Sequence, residues 1–124
     1  MMKRLMLALL ISVPLAAHHG TGGTYEMGKP ITLKGITTEF KFANPHVGVR
    51  FNVTGNKGSV VNWLAEGPAL INWTRQGWNR NSMKVGDQVT ITLFPAKSGE
   101  PDGVISKLVL GTGKEWCCQT GNTK

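Results

Sequence analysis

The chain has 124 residues, with 14 Lys plus Arg against 7 Asp plus Glu, a net charge of +7. That length suits one domain rather than two. Hydrophobic residues at 40%, with 16 Gly and 6 Pro, exclude a disordered acidic tail, a collagen-like repeat and a long coiled coil, and fit a turn-rich all-β module.

Lys3 and Arg4 precede an apolar run over residues 5–17 that ends on the small residues Ala16 and Ala17. This is the three-part plan of a secretory signal. A membrane-spanning helix needs roughly 20 apolar residues, so the run is too short to stay behind as an anchor. Cleavage after Ala17 is favoured over cleavage after Ala16, because it places Leu15 rather than Pro14 at the third position before the cut. The segment 1–17 is therefore expected to be removed, leaving a periplasmic or secreted protein that begins His18-His19. Loss of Lys3 and Arg4 lowers the charge from +7 to +5. The remaining basic residues are dispersed, which suits a solvated surface better than a nucleic-acid patch.

Residues 18–30 carry four glycines and no periodicity, and are expected to form an irregular arm. Ile31 and Leu33 then alternate on odd positions, whereas Ile36, Phe40 and Phe42 alternate on even ones; a β-bulge at Gly35 is the expected cause of the phase change. Asn44-Pro45 predicts a turn. Val47, Val49, Phe51 and Val53 mark a second strand, closed by Gly55-Asn56-Lys57-Gly58, and a third runs over residues 59–66. Gly67-Pro68 opens a short helix that Gly77 would stop. Val89, Ile91 and Leu93 mark strand four, and residues 104–110 strand five.

Three strands, a helix, then two strands predict a small five-stranded OB-like Greek-key barrel over residues 31–110. Residues 111–124 are expected to be a flexible C-terminal tail.

The three histidines carry the clearest chemistry. A free terminal amine beside His18 and His19 can chelate a metal, and imidazole and amine donors favour copper. His46 follows Asn44-Pro45 at a strand entry, where a turn would fix it near the barrel rim as a further ligand. Glu26 and Met27 are lower-ranked extra donors. The plainer alternative is a polar chain end and a His46 bonded to a turn carbonyl. Cys117 and Cys118 are direct neighbours, poorly spaced for an ordinary disulfide; a bridge to another chain, a strained vicinal bond, redox or metal thiols, or incidental thiols in the tail all remain open. Trp73, Trp78 and Trp116 are candidate exposed stacking platforms.

No nucleophile elbow, phosphate loop or His-Glu-Xaa-Xaa-His motif is present, so the sequence supports no reaction. The expectation is a non-catalytic metal-binding protein for a copper ion. The alternative is an OB-like binding module for an envelope protein, peptide or saccharide partner without metal. Nucleic acid is disfavoured by export.

One resemblance is spread along residues 17–110. His18-His19, the stretch Met-Gly-Lys-Pro-Ile-Thr-Leu at residues 27–33, Gly35, Asn44-Pro45-His46, Trp63 with Glu66, Gly77-Trp78, and Val85-Gly86-Asp87 with Val89 make the chain resemble an uncharacterised family of small exported bacterial proteins. That family is classed as a domain of unknown function and opens His-His just after the signal. The resemblance implies a periplasmic β-barrel with no assigned activity. The Trp116-Cys117-Cys118 ending departs from it.

Mass spectrometry of the protein recovered from the periplasm of an expressing bacterium is expected to show a chain that begins at His18. An intact Met1 terminus would remove the chelating amine.

Overall fold

The computed structural model describes residues 23–118. Six strands and one helix follow in order: β1 (Ile31–Lys41), β2 (Gly48–Thr54), β3 (Val60–Glu66), α1 (Leu70–Thr74), β4 (Gln88–Pro95), β5 (Asp102–Leu110) and β6 (Glu115–Cys117). The sheet order is β3-β2-β1-β4-β5-β6. A parallel pairing of β3 with β5, through Leu64–Asp102, Ala65–Gly103 and Glu66–Val104, closes five strands into a barrel. The single short helix lies between the third and fourth strands, as the sequence predicts, and nothing in the circuit conflicts with an OB-like order. No helix among the described residues is long and apolar enough to cross a membrane.

The barrel interior is built by strand alternation. Val47, Val49 and Phe51 from β2 and its entry are fully buried, as are Ala65, Ile91, Leu93, Ile105 and Leu108 from β3, β4 and β5. The phase change of β1 occurs two residues later than the sequence suggests. Its register against β2 slips between Thr37 and Glu39, so odd positions still face inward as far as Thr37. Ile36 is accordingly 43% exposed, while Thr37 is fully buried and donates through Oγ1 to the Met83 sulfur at 3.2 Å.

Gly35 has a different role from the expected bulge. A Cβ there would run into the backbone oxygen of Asn52 and the ring of Phe51. Close approach of two strands, rather than an inserted residue, makes the position glycine.

Helix α1 is anchored by Trp73, whose indole lies over the bare Cα of Gly67, where a Cβ would come within 2.7 Å of the ring. The helical turn stops at Gly77, with φ +83°, where the Gly77 N–H returns to Thr74 O and the Trp78 N–H to Trp73 O. These paired bonds satisfy carbonyls that the helix end would otherwise leave unpaired.

The segment 111–118 departs most from expectation. Residues 115–117 form β6, an antiparallel partner of β5 through Lys107–Cys117, Leu108–Trp116 and Val109–Glu115. Trp116 is 2% exposed and stacks on Trp73 at a centroid distance of 4.6 Å, while Trp73 meets Trp78 edge-on at 5.4 Å. Trp78 Nε1 donates to Glu115 O, and the Lys114 ammonium sits 5.2 Å from the Trp78 ring centroid while donating to Gly77 O. The tail is thus tied to the helix stop by three packed indoles, one pair stacked and one edge-on, and by the hydrogen bonds of Trp78 and Lys114.

Truncating a buried tryptophan costs about 3–5 kcal/mol. Trp116→Ala is expected to lower the free energy of urea unfolding by about that amount. A change below about 1 kcal/mol would mean that β6 contributes no packing.

Candidate functional site

At the end of the barrel where β1 and β3 finish and β2 and β5 begin, four chemically active side chains converge. The β1–β2 turn presents His46, exposed, directly before the buried Val47. That turn is held by Val47 N–H to Pro68 O at 3.2 Å, Gly67 N–H to Val47 O at 2.7 Å and Leu70 N–H to Asn44 Oδ1 at 3.2 Å. The loop bearing His46 is therefore stitched to the start of α1, which gives the imidazole a fixed base.

Glu66 ends β3, opposite Gly48 on β2 and Val104 on β5. Gly48 stands between Lys41 and Glu66 in the cross-strand row, and its missing side chain opens a groove of about 370 Å³ lined by His46, Lys41, Gly48, Arg50 and Glu66 among others. The Arg50 guanidinium pairs with Glu39 at 3.7 Å on its rim. A second groove, of about 300 Å³, is lined by Tyr25, His46, Glu66, Pro68, Ala69 and Val104. His46 and Glu66 are common to both.

Tyr25 comes from the arm, which is not irregular throughout. Tyr25 bridges Ala96, Glu26 N–H donates to Pro95 O at 2.8 Å, and Lys97 N–H donates to Thr24 O at 2.9 Å. The tyrosine side chain crosses the barrel end: its hydroxyl donates to Glu66 Oε2 at 3.0 Å, with Asp102 Oδ2 at 3.4 Å. One phenolic proton serves two carboxylates, and Asp102 Oδ1 is buried with no partner among the described residues.

The electrostatics follow from that crowding. Burial and the Glu66 charge raise the Asp102 carboxyl above its ordinary value, opposed by the Tyr25 hydrogen bond, the Gly103 N–H and the Arg50 charge. Burial, then the hydrogen bond and charge of Glu66, raise the Tyr25 phenol far above its ordinary value near 10.

Of the sequence-derived candidates, His46 lies in both grooves. His18 and His19 fall outside the described residues. Glu26 and Met27 sit in the turn that follows Tyr25, with Met27 N–H bonded to Tyr25 O, and line neither groove. No group of three or more His, Cys, Asp or Glu side chains able to hold a metal occurs among the described residues. Cys117 and Cys118 lie against each other at the end of β6, with Cys117 N–H bonded to Gln76 Oε1, and neither lines the grooves that His46 lines.

Trp73 and Trp78 are not stacking platforms. They are 0% and 2% exposed, because the helix turns both indoles inward onto Trp116, and their ring faces are occupied by one another and by Lys114. Tyr25, Glu66 and Asp102 were missed. The tyrosine lies in a stretch without periodicity, and the two carboxylates are separated from it by 41 and 77 residues.

A phenol held protonated by the fold favours the native state below its ordinary pKa. That contribution is lost as pH rises above about 10, since the unfolded chain then releases a proton that the native state retains. Stability measured between pH 9 and 11 should fall in the parent protein and fall less steeply in Tyr25→Phe. Equal slopes would contradict the buried, carboxylate-bound phenol.

Comparison with curated proteins finds no match. Residues 7–106 match the model of the family of unknown function DUF6152, and the chain belongs to that family.

Proposed function

We propose that this is an exported, periplasmic protein that binds a copper ion without catalysing a reaction, using the amine of a processed terminus, His18, His19 and His46. The observation that carries this reading is the seat of Tyr25, which fastens the arm in the same groove as His46. His19 lies six positions before Tyr25, a reach of roughly 20 Å when extended. Tyr25 and His46 line the same groove, so a segment of that reach is long enough to bring the leading imidazoles to His46.

The donor chemistry fits copper. Imidazole and amine nitrogens rank Cu(II) above the other common divalent metals, and a pinned His46 supplies a rigid ligand to a chain end that needs one. A tether anchored close to the site also raises the local concentration of the arm's ligands, which strengthens binding without a new contact.

The metal-free alternative, a module that recognises an envelope protein, a peptide or a saccharide, loses its proposed tryptophan platforms, since Trp73, Trp78 and Trp116 are inside. What remains to it is the groove floored by Gly48 and rimmed by Lys41, Arg50 and Glu66.

Titration of the processed protein with Cu(II) alone tests the copper reading. His46→Ala is expected to weaken binding by about tenfold, and removal of His18 and His19 by more. Binding that is indifferent to His46 and to the leading pair would leave the metal reading without support.

A further inference from the structure

We infer that the groove over Gly48 is a binding site for a small zwitterion, an amino acid or a dipeptide, whose carboxylate meets Lys41 and whose ammonium meets Glu66. Such a ligand requires no metal, and the residues that hold it all lie among the described ones.

Three glycines lie within strands, and packing demands two of them. A Cβ on Gly35 or Gly103 would run into neighbouring backbone and side-chain atoms. Gly48 is different. A Cβ there meets only the Leu64 Cδ1 atom, at an ordinary contact distance of 3.8 Å, and its φ is not positive. Its pairing with Lys41 and with Glu66 continues the register of both neighbouring strands, so no bulge requires it. Glycine weakens a strand, and where neither a bulge nor a close backbone accounts for it, the close approach of a ligand does.

The groove lies on the outer face of the barrel. Val49, Phe51 and Ala65 point into the core, so Gly48, Arg50, Leu64 and Glu66 point away from it. Lys41, Gly48 and Glu66 form one cross-strand row. Strand spacing sets the first and last of them about 10 Å apart at Cα, with the bare Gly48 between. Lys41 has no hydrogen bond or ion pair among the described residues. Glu66 accepts only from the Tyr25 hydroxyl, at 3.0 Å, which fixes Oε2 and leaves Oε1 open.

Two opposite charges thus flank a slot without pairing with each other. A simple anion in it meets Glu66 as a like charge, and a simple cation meets Lys41 as one. A zwitterion laid across the strands offers each its opposite. The volume of about 370 Å³ is that of a small-molecule pocket, and Leu64 gives the ligand an apolar contact.

The test is amide NMR titration of the full protein, in buffer with a metal chelator. The probes are alanine, alanyl-alanine, and alanyl-alanine blocked at its amine or at its carboxylate. Either zwitterion is expected to shift the Arg50 and Leu64 amides, and the tighter of the two gives the span of the site. Blocking either end of the dipeptide, Lys41→Gln and Glu66→Gln are each expected to weaken binding about fivefold. Gly48→Val is expected to abolish the shifts while leaving the urea midpoint of unfolding as high as in the parent or higher, since valine favours a strand and its Cβ has room. Shifts that persist in Gly48→Val, blocked dipeptides that bind as well as the free one, or no shifts with either zwitterion overturn the proposal. So does a lower midpoint in Gly48→Val, which would give the glycine a structural reason. The chelator keeps every one of these outcomes separate from the copper reading.

Discussion

Three parallel residue pairs between β3 and β5 hold the barrel shut, and the arrangement at its His46 end follows from them. Closure satisfies backbone groups that an open sheet would leave at its edges. It also brings Glu66 and Asp102 to the same end of the barrel, where burial and the Glu66 charge raise the cost of ionising Asp102. The Tyr25 hydroxyl partly offsets that cost, and in doing so ties the arm to the barrel. A structural requirement, closing a short barrel, thereby creates an electronegative seat for the arm beside an exposed imidazole.

The second organising contact is the set of three indoles beneath β6. Trp73 cannot stack on Trp116 without the bare Cα of Gly67 beneath its ring, and Trp78 is directed inward only because Gly77 turns the chain at positive φ. Gly67, Gly77 and Trp116 thus depend on one another although they lie in three different segments. This packing places α1 so that Pro68 and Leu70 can bond back to the β1–β2 turn, and it therefore supports His46 from a distance.

Strand positions were legible because alternation is a property of neighbouring residues: Val47, Val49 and Phe51 point inward wherever the barrel closes. The helix stop was legible for the same reason, since Gly77 follows the last helical turn by a fixed interval. Slippage in β1 was not, because Gly35 and Thr38 are both plausible sites of a phase change, and the choice falls to the approach of Asn52 and the pairing with β2. The tail was misread because β6 is three residues long, too short to show a period, and gains its order from an indole that fits between two others.

At the site, only His46 could be singled out from its local setting. The sequence by itself determined a one-domain, glycine-punctuated β fold with a helix between its third and fourth strands, and a cluster of histidines at a prospective chain end, since composition and short-range periodicity carry that information. Tertiary structure decided that the tryptophans are core, that β6 completes the sheet, and that Tyr25, Glu66 and Asp102 meet near His46. Those meetings span 41 and 77 residues of chain, and proximity at such separations is set by sheet closure rather than by any local pattern.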